Sequence, residues 1–189
     1  MTTDELKTRA GEIAAIFGYE FDLTAAPLNS EQDVLAVERA LGVTLPISYR
    51  AFLIYFNEML PVFCGELLLM TGHRSLSGMK YVLPGSETDP NDDSVIWAND
   101  LVTQNLQLRE RPAWLAKTEA GDEWWEKQPK WPTSLIEVVS GDDSSYYLDL
   151  SETDATEECP VTVLPPGPEG ETVAANFLEF LRKYRSSDR

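Results

Sequence analysis

The sequence contains few of the residues that catalytic and metal sites most often use. Its 189 residues include one histidine, His73, and two cysteines, Cys64 and Cys159. A structural zinc site needs about four nitrogen or sulfur ligands, so these residues exclude one. No Gly-x-Ser-x-Gly, Gly-x-x-x-x-Gly-Lys or Gly-x-Gly-x-x-Gly motif occurs, which argues against a serine-hydrolase elbow and a glycine-rich phosphate loop. We predict a protein that is not an enzyme, needs no cofactor or metal, and carries His73 in an ordinary loop.

Long apolar runs are also missing. Residues 1–23 lack the basic stretch and apolar run of a signal peptide, and no segment approaches the roughly 20 apolar residues of a membrane span. Two cysteines are too few for a disulfide scaffold in a chain of this length. These absences predict a cytoplasmic protein whose Cys64 and Cys159 are buried, reduced thiols.

Positive charge is scarce, and it is unevenly placed. The formal net charge is −17, and residues 131–181 contain eleven acids without a single Lys, Arg or His. Such a field repels nucleic acid and anionic membranes, and it attracts basic proteins at rates that fall with salt. We therefore predict a basic protein partner, with no binding to nucleic acid or membrane. The alternative is that the acids only keep the protein soluble.

The first third of the sequence predicts helices. Residues 1–17 fit a first helix, and a second follows from residue 31, with Asn29 or Ser30 as N-cap and Gly42 at its end. Pro46 suits the first turn of a third helix. The apolar residues of this third helix recur at helical spacing and predict a core-facing stripe: Tyr49, Phe52, Leu53 and Phe56.

The rest of the chain predicts a sheet. Short strands are expected at 65–70, 79–83, 94–98 and 161–165, a helix at 100–111, and a hairpin at 134–151 around a Gly-Asp-Asp-Ser turn. Residues 112–132 fit no regular period and read as a Trp-rich insertion, and residues 171–184 predict a closing helix. The whole chain, 1–189, is predicted as one α+β domain: N-terminal helices packed on a central, mainly antiparallel sheet, closed by a C-terminal helix.

The best candidate for a partner-binding surface is the acidic run at 142–158. It holds seven carboxylates without a basic neighbour in sequence: Asp142, Asp143, Asp149, Glu152, Asp154, Glu157 and Glu158. A calcium loop would need a different spacing, whereas paired carboxylates for glycoside hydrolysis stay open as an alternative. The simpler alternative is a solvated loop.

A second candidate is the adjacent pair Trp124 and Trp125, which lies among charged residues within the insertion. Exposed aromatics amid charge are typical of binding hot spots. The alternative is that both side chains pack the insertion onto the domain.

Two segments resemble a known family. The first is Glu38-x-x-Leu-Gly-x-x-Leu-Pro-x-x-Tyr-x-x-Phe-Leu-x-x-x-Asn57, and the second is the hairpin Gly-Asp-Asp-x-x-Tyr-Tyr-Leu-Asp-Leu-Ser at 141–151, followed by a strand and a Phe-x-x-Phe-Leu helix. Across about residues 30–185, their order and spacing are similar to the SUKH superfamily. Glu58 follows Asn57 where the family usually has glycine, the turn differs from the common Gly-Asp-Gly, and the 112–132 insertion is longer than usual.

The resemblance implies a compact α+β fold without catalytic residues. Bacterial SUKH proteins are mostly immunity proteins that neutralise a toxin, often a nuclease, of polymorphic or contact-dependent systems. Yeast members are regulators of cell-wall assembly. We therefore expect an immunity protein that binds a basic cognate toxin through its acidic surface, the alternative being a cytosolic regulator or scaffold with no toxin partner.

Overall fold

The computed structural model describes residues 2–18, 29–56, 63–64, 67–69, 80–82, 95–97, 101–110, 132–140, 145–164 and 171–186. The described helices are α1 (Thr3–Phe17), α2 (Glu31–Leu41), α3 (Ile47–Tyr55), α4 (Leu101–Glu110) and α5 (Phe177–Ser186). The described strands are β1 (Phe63–Cys64), β2 (Leu67–Leu69), β3 (Lys80–Val82), β4 (Val95–Trp97), β5 (Leu135–Ser140), β6 (Ser145–Asp149), β7 (Val161–Leu164) and β8 (Glu171–Ala174). A 3-10 turn, Leu150–Glu152, follows β6.

Six of these strands form one sheet in the order β1-β2-β5-β6-β7-β8, and β3 pairs with β4 separately. Every strand pair among the described residues is antiparallel. The hairpin of β5 and β6 lies near the middle, with Leu135 opposite Asp149 and Ser140 opposite Ser145. The α5 helix contacts both β8 and α1. The α+β fold with an antiparallel sheet and a closing helix is therefore confirmed.

The predicted boundaries of α2 are confirmed by its caps. Ser30 Oγ accepts from the Asp33 amide at 3.2 Å, and the Asp33 carboxylate accepts from the Ser30 amide at 2.9 Å, which is a capping box. Gly42 ends the helix with a φ of 65°, a left-handed conformation that costs glycine least. Asn29 is buried instead of capping, and its amide nitrogen donates to the Leu53 carbonyl at 2.7 Å.

Glu38 of α2 binds both the loop that connects α2 to α3 and the α3 helix itself. Its side chain is only 6% exposed, and Oε1 accepts from the Leu45 amide and from Arg50 Nε, both at 2.7 Å. One carboxylate thus fixes the connecting loop and the next helix together. Because a buried charge needs a partner and hydrogen bonds to be tolerated, this contact gives a physical role to the glutamate of the Glu-x-x-Leu-Gly motif.

The core lies between α1, α3, α5 and the sheet. Tyr49 and Phe52 from α3 are fully buried against Phe177 of α5, with ring centroids 5.0 and 5.5 Å apart. Apolar residues of α1 and the sheet join the same cluster. Full burial of one such side chain contributes about 1.5–3 kcal/mol. The predicted aromatic stripe of α3 is therefore core.

Asn105 attaches α4 to the sheet. Its side chain is 1% exposed, its Oδ1 accepts from the Glu137 amide at 2.8 Å, and its Nδ2 donates to the Glu137 carbonyl at 3.0 Å. Asn105 thus acts like a strand partner at the irregularity between Glu137 and Val139 in β5, where unpaired backbone groups need a substitute partner. Leu101 and Leu108 are buried together with Asn105, so these three residues form the inner face of this helix.

The prediction of a helix over residues 171–184 is wrong at its beginning. Residues 171–174 form β8, which pairs with β7, and the helix begins only at Phe177. Thr172 and Val173 are β-branched and suit an extended edge strand. Asn176 Oδ1 accepts from the Glu179 amide at 3.0 Å, which is the bond that begins a helix at this position.

None of the helices within the described residues combines the length and apolar character that crossing a membrane requires.

Candidate protein-interaction surface

The acidic run lies where the chain leaves the centre of the sheet. Asp149 ends β6, the 3-10 turn follows, and an irregular segment returns the chain to Val161 in β7. Every residue from 151 to 157 is exposed. The sheet therefore presents this loop, which includes Glu152, Asp154 and Glu157, to solvent.

Two of the predicted surface carboxylates organise the loop itself. Asp149 Oδ1 accepts from the Ser151 amide and hydroxyl at 3.0 and 2.6 Å. Asp154 Oδ1 accepts from the Thr156 amide, the Thr156 hydroxyl and the Glu158 amide at 2.7, 2.6 and 3.1 Å. These bonds, the Thr156 hydroxyl first, lower the pKa of the Asp154 carboxyl. Both aspartates therefore fix the backbone as well as supplying charge.

Glu158 lies inside the protein. It is 5% exposed, its Oε2 accepts from the Ser48 hydroxyl at 2.6 Å, and its Oε1 lies 3.6 Å from Arg9 Nε. Burial raises the pKa of its carboxyl, while the Ser48 hydrogen bond and the charge of Arg9 oppose that shift. The exposed acidic surface predicted for residues 142–158 does not include Glu158.

Glu152 and Glu157 are the exposed glutamates of the loop. Neither side chain takes part in the hydrogen bonds and ion pairs found among the described residues. Glu157 has a φ of 60°, the one positive value for a non-glycine residue in the described ranges. Its carbonyl accepts from the Ile47 amide at 3.1 Å, so it satisfies a free N–H at the beginning of α3. This bond holds the loop against the α3 end.

Glu157 lies between two grooves. One, of about 450 Å³, is lined by Glu5, Thr8, Arg9, Ile47 and residues 155–157. The other, of about 460 Å³, lies between residues 42–46, residues 133–134 and the segment around Leu150, Thr153 and Glu157. The sequence reasoning missed both grooves, because each is formed by segments far apart in the chain.

Four of the predicted site residues lie outside the described residues: Asp142, Asp143, Trp124 and Trp125. The same holds for His73 and for the Trp-rich insertion up to residue 131. Their assignment to a binding surface stays a prediction.

The described residues give little support to a metal site or a reactive thiol. No group of three or more His, Cys, Asp or Glu residues there is arranged to hold a metal ion. Cys159 is a free, buried thiol, as predicted, and burial raises its pKa to about 12. A thiol is reactive as its thiolate, so Cys159 is structural at neutral pH. This region is therefore an exposed acidic loop, held by hydrogen bonds to its own backbone and to α3, that lies between two grooves.

Comparison with known families agrees with the resemblance noted in the sequence. No curated protein matches the chain. The SMI1 / KNR4 family (SUKH-1) matches residues 28–183, a stretch that includes Glu38, the hairpin, the acidic loop and most of α5. Because the match covers well over half of the sequence, this chain belongs to the SMI1 / KNR4 family (SUKH-1), a family of immunity proteins and regulators that are generally not catalytic.

Proposed function

We propose that this protein is an immunity protein, not an enzyme, which binds and neutralises a basic cognate toxin, a nuclease of a polymorphic or contact-dependent system, in the cytoplasm. The observation that carries the proposal is the exposed loop at 151–157, whose Glu152 and Glu157 have no cationic partner among the described residues. Family membership supports a protein partner, and the net charge of −17 supports a basic one.

The rigidity of the loop favours binding. Asp149, Asp154 and the Ile47–Glu157 backbone bond restrain its backbone, which reduces the conformational entropy that is lost when a partner binds. A nuclease carries positive charge where it contacts phosphates. Carboxylates held in fixed positions on a protein surface can occupy such a cleft and exclude its substrate. The proposed surface also includes Asp142, Asp143, Trp124 and Trp125.

The first experiment captures partners from the lysate of the source organism at low salt and elutes them with high salt. We expect one basic protein that is toxic when expressed alone and harmless when this protein is co-expressed. Recovery of non-toxic housekeeping proteins would contradict the toxin partner and support the alternative, a regulatory scaffold.

The second experiment compares two double variants in the rescue assay and in affinity for the captured toxin. Glu152→Lys/Glu157→Lys reverses two loop charges, whereas Glu110→Lys/Glu171→Lys makes the same change in net charge at exposed positions outside the loop and both grooves. An exposed ion pair contributes up to about 1 kcal/mol, and reversal adds repulsion, so we expect the loop variant to lose about tenfold or more in affinity. Equal behaviour of the two variants would contradict the assignment of this loop.

A further inference from the structure

The groove beside residues 42–46 has an apolar interior. Its wall includes the buried Leu45 and Pro46 and the half-buried Val43 and Leu150. Thr44 and Thr153 are exposed and lie at its rim. A volume of about 460 Å³ falls within the roughly 300–1,000 Å³ of typical ligand sites. The groove is therefore large enough to accept an apolar side chain of a partner.

Among the described residues that line this groove, Glu157 has the one charged side chain. Glu152 is adjacent in sequence to the lining Thr153, and the described part of the lining includes no Lys, Arg or His. Of the neighbouring arginines, Arg50 binds Glu38, and Arg9 binds Glu12 and Glu158. Arg109 lies at the end of the groove away from Glu157, where it donates to the carbonyls of Leu41 and the lining Thr133 at 2.7 and 3.0 Å. A partner residue that enters the groove at its Glu157 end therefore meets two carboxylates, those of Glu152 and Glu157, that no cation among the described residues pairs.

The groove on the other side of Glu157 differs in the charge of its lining residues. It is lined by Arg9 as well as Glu5 and Glu157, together with the hydroxyls of Thr8 and Thr156. A cation in its wall repels a basic partner, and among the described residues of its lining only Ile47 and Ala155 are apolar. Of the two grooves, the one beside residues 42–46 suits a basic partner with an apolar anchor.

Its walls are fixed before any partner binds. The Val43 amide donates to the Glu38 carbonyl at 3.0 Å, and the Leu45 amide donates to the Glu38 carboxylate at 2.7 Å. On the opposite side, the Ile47 amide holds the Glu157 carbonyl at 3.1 Å. A preformed groove avoids much of the ordering cost of binding, and a buried anchor surrounded by polar contacts is the usual composition of a hot spot.

We propose that this groove seats one apolar side chain of a partner loop, while Glu152 and Glu157 bind Lys or Arg residues that flank it. The inference rests on the proposed function for the identity of the partner, the basic toxin. It adds that the toxin's contact segment carries an apolar residue between cations, so that charge alone does not determine affinity.

The test uses synthetic peptides and the isotope-labelled protein. The peptides Ac-Lys-Lys-Leu-Lys-Lys-NH2 and Ac-Lys-Lys-Ser-Lys-Lys-NH2 have the same charge and differ only in the central side chain. We expect the leucine peptide to bind about tenfold more tightly, the factor that burial of most of one leucine side chain supplies. It should shift the amide resonances of residues 43–45 and 150–153, whereas the serine peptide should shift mainly those near Glu152 and Glu157.

Thr44→Trp fills the groove from its exposed rim, and Thr172→Trp adds the same bulk at an exposed position on β8, outside both grooves. We expect Thr44→Trp to abolish the advantage of the leucine peptide and Thr172→Trp to keep it, with the amide spectrum of each variant verifying its fold. Equal affinity of the two peptides, or no binding of either, overturns the groove proposal. Either result leaves the toxin proposal intact, since that depends on rescue of a toxic partner. If co-expression of this protein does not rescue cells from the captured partner, but the leucine peptide still binds more tightly than the serine peptide, the toxin proposal is overturned instead.

Discussion

Ser48 Oγ lies 2.6 Å from Glu158 Oε2 and donates a hydrogen bond to it, although 110 residues separate the two positions. Ser48 is fully buried in the first turn of α3, and Glu158 ends the exposed acidic loop. Arg9 of α1 lies 3.6 Å from the other carboxylate oxygen. One buried carboxylate therefore connects α1, α3 and the proposed binding loop.

This contact predicts an unusual pH dependence. Because burial raises the folded-state pKa of Glu158 above its value in the unfolded chain, the folded protein binds this proton more readily. Protonation of Glu158 therefore stabilises the folded protein. This contribution is complete below the unfolded-state pKa and is lost as the pH rises through the folded-state pKa. We expect Glu158→Gln, which is neutral at every pH, to be at least as stable as wild type at pH 7, with the difference vanishing toward pH 4.

Urea unfolding of both proteins between pH 4 and pH 7 measures this difference. Glu158→Ala is the control, because it leaves the Ser48 hydroxyl buried without its acceptor and should cost about 1–3 kcal/mol. If Glu158→Gln were clearly less stable than wild type at pH 7, the ionised carboxylate would stabilise the fold. That result would contradict the raised pKa that burial gives Glu158.

Asp154 predicts a local effect on the loop. Replacing it with alanine removes the acceptor of three hydrogen bonds, so the amides of Thr156 and Glu158 should exchange hydrogen faster. Asp154→Asn keeps an amide oxygen and should preserve much of the protection. In wild type, hydrogen bonds from Thr156 and Glu158 lower the pKa of Asp154, so the contribution of its carboxylate is lost only as the pH falls through that lowered pKa. Glu152→Ala is the matched control, and equal exchange in all three variants would contradict this role.

The Glu38–Arg50 pair predicts strong coupling between α2 and α3. Glu38→Ala removes the carboxylate that pairs with the Arg50 guanidinium and accepts from the Leu45 amide, and breaking a largely buried pair in this way costs about 3 kcal/mol. The double variant Glu38→Ala/Arg50→Ala should lose less than the sum of the single losses. Chemical denaturation of wild type, the two single variants and the double variant gives a double-mutant cycle. Strict additivity of the losses in stability would show that the two side chains do not interact.

Local signals in the sequence were sufficient for the helical part of the fold. Ser30 and Gly42 were predictable because capping depends on a few adjacent residues, and the Tyr49–Phe56 stripe was predictable because core faces follow the helical period. Residues 171–174 were assigned to the wrong element because their strand conformation depends on pairing with β7, which no local pattern encodes.

The candidate site was less predictable. A run of carboxylates in sequence gave no means of separating the exposed Glu157 from the buried Glu158, since the burial of Glu158 depends on Ser48 and Arg9, both far away in the chain. The internal hydrogen bonds of Asp149 and Asp154 were only partly visible, as a preference of aspartate for turns. The groove beside residues 42–46 depends on three distant segments, so no motif indicated it.

Two glycines provide a test of how the wall of that groove is held. Gly42 has a φ of 65°, and Gly11 lies within α1, and at both positions an added Cβ has no atom within 4 Å. Any change in stability on substitution with alanine therefore comes from the backbone and not from a clash. Gly42→Ala should cost about 1 kcal/mol because a side chain disfavours the left-handed conformation, and Gly42→Asn should cost less. Gly11→Ala should instead stabilise the protein by about 0.5–1 kcal/mol, because alanine has the higher helix propensity. Urea unfolding of the three variants measures these differences, and a stabilising Gly42→Ala would show that the end of α2, and with it this side of the groove, is not held in the left-handed conformation.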